Sequence, residues 1–381
     1  MLAVLALGVQ AVVASASIAA DEAIDQSNNV KLVKNFDYGP GGGGADLAYD
    51  GRYVYVVERG EGGGIHIYDP RPRVPKEIGF FSCPGNWGTD VKPIRRGLVV
   101  MDRYGGECGT VNGFYLLDTS DPRQPRMLGG IEAPLHTMRN YPGRPIVYVS
   151  PNGCCGDLEG GKEHFYDVSN PLAPKKVGEY TAYGLGCHDI WIHVSSKRKI
   201  AACAAGSETQ LWDVSDPLAP VTLSRIPTPQ TFFNHTPAIS SDGKLLAVGD
   251  EAHAATECLG AGSGAIWFYD ISDPTLPVLT STYDIQRGTP VSSFWAGQEQ
   301  LPWCSVHNFE FIPGTHTLLS GWYAGGVNVL DLSDPSSPEE IAYFLPEKTS
   351  SWGGYWVEGR VWSPDELRGL DVLKVKGLRA R

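Results

Sequence analysis

The sequence lacks most of the motifs that announce a chemistry. It has no phosphate-cradling glycine loop, no GxSxG elbow and no HExxH pair. The usual signs of a P-loop, an α/β-hydrolase and a zincin are therefore missing. Gly41–Gly44 precedes a strand rather than a helix, which makes it a turn and not a phosphate site. No CxxC pair offers zinc spacing. Positive charge is scarce: 31 Lys and Arg stand against 43 Asp and Glu, a net charge of −12. Nucleic acid is a poor partner for such a chain, because binding phosphates needs clustered Lys and Arg. Charged residues make up only 19% and aromatics 10%, which excludes a disordered chain and a coiled coil.

Long apolar runs are also rare. The one example is Met1 to Ala20, with small residues at Ala14–Ser15–Ala16 and Ala19–Ala20 and charge starting at Asp21–Glu22. This reads as a secretory signal over residues 1–20, although no Lys or Arg precedes the run. The other reading is an uncleaved anchor of about 20 residues. Once the signal is removed no stable membrane span remains, so the chain is expected to be secreted or held at the cell surface. Eight cysteines follow, at 83, 108, 154, 155, 187, 203, 258 and 304, and an even count behind a signal points to disulfides.

Glycine and proline are plentiful, 46 and 28 in 381 residues, and they punctuate a repeat. An apolar–aromatic strand ends in Asp-x-Ser-Asp/Asn-Pro-x-x-Pro and is followed by another strand. HFYDVSNPLAPKKVGEY and IWFYDISDPTLPVLTSTY are examples. The shared Asp falls at 69, 118, 167, 213, 270, 331 and 371, a loose period of about 50 residues. Asp and Ser bond nearby backbone N–H groups and each Pro stops the ladder, so every copy is an outer hairpin. Two more strands lie upstream, as in Ile190–Val194 and Lys199–Cys203. Four strands per repeat predict an all-β, seven-bladed β-propeller over residues 21–381. The seventh copy stops after its third strand. Val30–Phe36 looks like a spare fourth strand and is expected to close blade 7.

The DVSDPxxP hairpins, with the tail Arg368-Gly369-Leu370-Asp371-Val372-Leu373, resemble the LVIVD-repeat family of secreted and cell-surface β-propellers. The likeness covers the whole mature chain. The first copy departs from it, with Asp69-Pro70-Arg71-Pro72 and a spacing one residue shorter. The family is defined by its repeat rather than by one activity, so the resemblance implies a fold and leaves the reaction open.

In a propeller the first strand of each blade starts at the top of the central channel. Aligned there, the first strands begin Ala45-Asp46, Thr89-Asp90, His136-Thr137, His188-Asp189, His235-Thr236, His307-Asn308 and Gly353-Gly354. Four of the nine histidines thus share one column. Converging imidazoles suit Fe, Cu or Zn, which makes His136, His188, His235 and His307 candidate metal ligands. The alternative is that each His bonds the backbone of its own blade. In the next column Asp46, Asp90, Thr137, Asp189, Thr236 and Asn308 are expected to cap inner strands.

The second strands return to the same face. Glu251 and His253 there are candidate catalytic groups beside His235. Asp102, Arg103, Trp87, Trp303, Trp322 and Tyr323 are candidate ligand-binding residues, for a small molecule, a glycan or a protein. Cys83–Cys108 and Cys258–Cys304 are the preferred bridges, with 154, 155, 187 and 203 pairing among themselves. Two functions remain open at this point. One is a binding module that uses the top face, with or without a His-bound metal. The other is an enzyme, either metal-dependent and oxidoreductase-like or a metal-independent lyase or isomerase using Glu251 and a His.

Overall fold

A computed structural model describes residues 23–103, 105–108, 112–151, 161–252, 264–285, 287–289 and 304–380. Every element among them is a strand, and the strands form seven antiparallel sheets arranged as the blades of a propeller. Blade 4 shows the pattern, with strands Asp189–Val194, Lys199–Ala204, Glu208–Asp213 and Val221–Pro227 running outward from the axis.

The inner and outer strands bury different amounts, and the sequence follows. A second strand such as Leu245–Asp250 is buried along its whole length, because neighbouring blades cover both of its faces. It therefore reads as a nearly continuous apolar run. A fourth strand such as Lys175–Thr181 is half exposed and mixes Lys and Glu with Val and Tyr. The core is divided accordingly. Seven clusters of buried side chains occur, one at each joint between adjacent blades, so the blades are stacked on apolar faces around a ring.

The repeat Asp does the work expected of a turn. Asp167 Oδ1 accepts the N–H of Ser169 at 2.8 Å, and Asp213, Asp270 and Asp331 do the same for Ser215, Ser272 and Ser333. Beyond each turn the third and fourth strands share a bulge, for example between Leu211 and Trp212. The same bulge lies between Leu32 and Lys34, where Val30–Phe36 pairs with Gly369–Val375. The N-terminal strand is thus a true fourth strand of blade 7, and it closes the ring. Asn35 strengthens the closure, donating to the Arg368 carbonyl at 3.0 Å and to Asp371 at 2.9 Å. The structure adds a feature the repeat did not announce: Ile24–Gln26 pairs with Phe344–Pro346 as a fifth strand of blade 6. One N-terminal segment therefore covers the outer edges of two blades.

At the axis the second-column side chains reach into the next blade. Asp46 accepts the N–H of Val91, and Asp90 accepts that of Met138 at 2.6 Å. Thr137 donates to the carbonyl of His188, Thr236 donates to Asn308 at 2.7 Å, and Tyr355 donates to Asp46 at 2.8 Å. Lys92 lies between Asp46 and Asp90 in a channel cavity of about 220 Å³ that also meets Arg139, Asp189 and Glu310. Most of these residues act across the joint rather than within their own blade; Asp189 is different, accepting the N–H of Ile190 in its own strand at 2.7 Å.

Two disulfides join described residues, Cys83–Cys108 and Cys187–Cys203. The first matches the expected pair, and the second falls within the expected group of four. Cys304 is also disulfide-bonded. Cys154, Cys155 and Cys258 lie outside the described residues, as does the apolar segment 1–20.

The closed ring contains a pH-sensitive clamp in blade 1. His66 bonds Glu58 through Nε2 and Glu77 through Nδ1, both at 2.9 Å, and stacks on Tyr38, which follows the closing strand, at 4.0 Å. Burial pulls this imidazole down, but the two carboxylates outweigh it and hold the pKa above the ordinary 6.5. A raised folded-state pKa stabilises the protein fully below the unfolded value, and that contribution fades as pH rises through the folded one. In denaturant unfolding, the wild-type advantage over His66→Gln should be larger near pH 5.5 than near pH 8.5. A difference that does not change with pH would contradict this account.

Candidate functional site

The four column histidines meet at the top of the channel. His136 leads into the first strand of blade 3 and His188 into that of blade 4; His235 lies in Asn234–Ile239 of blade 5, and His307 precedes Phe309–Phe311 of blade 6. Successive rings lie 4.3, 4.3 and 4.4 Å apart between centroids. His188, His235 and His307 are buried and His136 is half-buried. The shared column therefore becomes an arc of contacting imidazoles.

Glu251, just beyond the second strand of blade 5, turns into this arc. Its carboxylate lies 3.4 Å from His235 Nε2 and 3.9 Å from His307 Nε2, and it accepts a 2.6 Å bond from the Tyr323 hydroxyl. Ligand atoms of His188, His235 and Glu251 all lie within 4.8 Å of one another. Tyr323 holds a positive φ of 41°, an uncommon conformation for a bulky residue. Strain of this kind concentrates at functional positions, and here it accompanies a phenol aimed at Glu251. Burial, then the charges of Glu251 and Glu366, raise the Tyr323 pKa well above 10.0, so the group remains a donor.

Hydrogen bonds set the tautomers. His307 Nδ1 lies 2.9 Å from the Trp352 carbonyl, which only accepts, so Nδ1 carries the proton. His235 Nδ1 lies 2.7 Å from the Thr236 hydroxyl, whose own proton goes to Asn308. In neutral rings both Nε2 lone pairs then face the Glu251 carboxylate. His136 and His188 meet through their Nε2 atoms at 3.2 Å, and His188 Nδ1 is buried without a hydrogen-bond partner among the described residues. Burial lowers the pKa of His136 to about 4 and that of His188 well below its ordinary value, so both rings are neutral at physiological pH. Neutral imidazoles are the form that binds metal.

The other candidates have different surroundings. Trp87 is 43% exposed at the mouth. Asp102 is fully buried and accepts the backbone N–H groups of Thr89 and Asp90, each at 2.8 Å; burial pushes its carboxyl up to about 8. Arg103 is buried and donates to the Cys108 carbonyl and to Tyr115, which turns it into the loop and away from a ligand. Trp322, expected on the ligand surface, is instead fully buried at the joint of blades 5 and 6, with Nε1 donating to Ser320 at 2.9 Å. Its neighbour Tyr323, just past the strand and at the positive φ noted above, sends its hydroxyl to Glu251 instead. His253 and Trp303 lie outside the described residues.

Arg59 and Trp352, both at top-face positions of the repeat, meet at the mouth. Arg59, at the end of the second strand of blade 1, pairs with Glu366 at 2.9 Å and lies 5.0 Å from the Trp352 ring centre and 5.8 Å from that of Trp87. Trp352 in turn touches His307 at 4.0 Å. The sequence signal for Arg59 was its place at a second-strand end; nothing in the sequence paired it with Glu366, 307 residues away.

A family model for the LVIVD repeat matches residues 268–285 and 323–345. No curated protein matches the chain. The two matched segments cover most of the outer hairpins of blades 5 and 6, Ile266–Asp270 with Val278–Tyr283 and Val327–Asp331 with Glu339–Pro346. Those hairpins are the unit that recurs around the ring, and the chain is a β-propeller that carries LVIVD repeats in blades 5 and 6.

Proposed function

We propose that the channel mouth is a transition-metal site, held by His188, His235 and Glu251 with His136 and His307 beside them, and that the protein binds a ligand at that metal. The observation that carries this reading is the spacing of the donor atoms. Ligands bound at about 2.1 Å in a tetrahedron sit about 3.4 Å from one another. His235 Nε2 and Glu251 are 3.4 Å apart, and the His136 and His188 nitrogens 3.2 Å. A direct charge-assisted bond would draw the first pair to about 2.8 Å. A cation between the lone pairs and the carboxylate accounts for the longer distance. An imidazole-rich set with one carboxylate suits Zn, Cu or Fe better than Mg or Ca.

The rest of the reading follows from position. The metal would sit where seven blades converge, with the half-buried His136 on the accessible side. A ligand would therefore approach along the channel from the top face. Export to an oxidising compartment agrees with the disulfides Cys83–Cys108 and Cys187–Cys203 and with the apolar residues at the N-terminus. Among the described residues no helix is long and apolar enough to cross a membrane.

Purified protein should contain, or take up, one transition-metal ion per chain when measured by elemental analysis. His188→Ala and His235→Ala should each abolish stoichiometric uptake while the folded β spectrum is retained. A chain that folds and binds none of Zn(II), Co(II) or Cu(II) overturns the proposal. Tyr323→Phe keeps every ligand but removes the hydroxyl that orients Glu251. By comparison with other groups that orient metal ligands, it should weaken metal binding by about 10- to 100-fold, as titration against a competing chelator would report.

A further inference from the structure

Beyond the inter-blade links, on the side away from the histidines, the channel widens into the cavity of about 220 Å³ that holds Lys92. Asp46, Asp90 and Asp189, at the histidine end, are buried, whereas Arg139, Trp191 and Glu310, further along the first strands, are half-buried. The cavity therefore opens toward the face opposite the metal site.

Its charges are unevenly matched. Lys92 is engaged by both Asp46 and Asp90. Arg139 is less fully used. Its Nε donates to the Ile190 carbonyl at 2.9 Å, and its guanidinium carbon lies 4.7 Å from the Trp191 ring centre. Nη2 stops 3.8 Å from Asp189, beyond hydrogen-bond range, and neither Nη atom donates to a protein group among the described residues. Asp189 Oδ1 is already taken by the N–H of Ile190. Glu310 stands across the ring, on blade 6 against blade 3. Its Oε1 accepts the N–H of Trp356 at 2.6 Å, and its Oε2 has no protein partner among the described residues. No ion pair joins Arg139 to Glu310 there either. The cavity thus holds a guanidinium fork and a carboxylate oxygen, of opposite charge and on opposite walls, each short of a partner.

We infer that this part of the channel binds a small zwitterion of the amino-acid type, its carboxylate in the Arg139 fork and its ammonium on Glu310. A simple anion would satisfy Arg139 but add to a wall where four carboxylates already face two cations. A simple amine would satisfy Glu310 and leave the fork open. A molecule with both charges answers both. The volume, about that of seven waters at ~30 Å³ each, keeps the ligand small. Burial pushes the Glu310 carboxyl up to about 7, and an ammonium beside it would favour the charged form. The inference stands apart from the metal reading, since none of these groups belongs to the histidine cluster.

The test uses the full chain stripped of metal by a chelator and dialysed, so that no ion at the mouth can ligate the probe. Glycine, β-alanine and γ-aminobutyrate, which differ in the span between their charges, are titrated by calorimetry. Acetate and ethylammonium are the single-charge controls. At least one of the three zwitterions should bind one per chain, and at least about tenfold more tightly than either control, the scale of a lost charge-assisted hydrogen bond. Glu310→Gln keeps an acceptor for Trp356 but loses the charge, so it should reduce the zwitterion to about the acetate level. Arg139→Gln should reduce it to about the ethylammonium level. If Arg139→Gln fails to fold because the Ile190 carbonyl loses its donor, Arg139→Lys, which keeps the charge without the fork, should weaken the zwitterion and leave ethylammonium unchanged. The inference is overturned by a chain that binds none of the three with a Kd of about 10 mM or tighter, or binds them no better than the controls. It is equally overturned if the Arg139 and Glu310 variants bind as the wild type does. None of these results bears on the metal at the mouth.

Discussion

Short polar side chains that cross from one inner strand to the next hold the centre of this molecule together. Asp46 to Val91, Asp90 to Met138, Thr137 to His188 and Thr236 to Asn308 are four of these links, and Tyr355 to Asp46 carries the series across the closing joint. Apolar packing between blades is strong but non-directional, so it would tolerate small rotations of one blade against another. Directional bonds at the axis remove that freedom. They matter most at the mouth, where the residue at or just before each link is the one that faces the channel. His136 precedes Thr137, the carbonyl of His188 receives the Thr137 bond, His235 precedes Thr236 and His307 precedes Asn308. The links that order the blades therefore also order the imidazoles.

That order has an energetic cost. Burying four imidazoles and a carboxylate in one place removes water from groups that would otherwise be solvated. The response is visible in the lowered pKa values of His136 and His188, where burial disfavours the charged ring. Lone pairs of His235 and His307 then face Glu251, and a bound cation would make that arrangement favourable. The supporting devices are those expected of a site held in readiness. Tyr323 keeps a strained backbone to reach Glu251, Thr236 fixes the His235 tautomer, and the Trp352 carbonyl fixes that of His307. The disulfide at Cys187 anchors the residue immediately before His188.

Much of this was legible in the residues because it repeats. Asp-Ser-Asp-Pro turns, alternating strands and a histidine column all recur at a fixed place in a repeat, and a closed ring carries equivalent positions to equivalent places. Val30–Phe36 was recognisable as a fourth strand for the same reason. What went unread was whatever occurs once. The fifth strand at Ile24–Gln26 has no counterpart in other blades, and its pairing with Phe344–Pro346 depends on where the closing strand leaves the chain. Trp322 and Tyr323 are adjacent aromatics just past the end of one strand, and only the backbone turn there, with Tyr323 at a positive φ, decides that the first packs inward and the second faces Glu251.

The sequence by itself determined the fold, the number of blades and the column in which the histidines stand, because periodic hydrophobicity and turn chemistry are local properties. It also put Glu251 beside His235 and Tyr323 on the same face, but it could not decide the contacts among them. Glu251, Tyr323, Trp352, Arg59 and Glu366 come from blades 5, 6, 7 and 1, and their distances are set only when the ring closes. A cluster drawn from several blades depends on long-range contacts, and the order of residues along a chain does not encode distances between them until packing has brought the blades together.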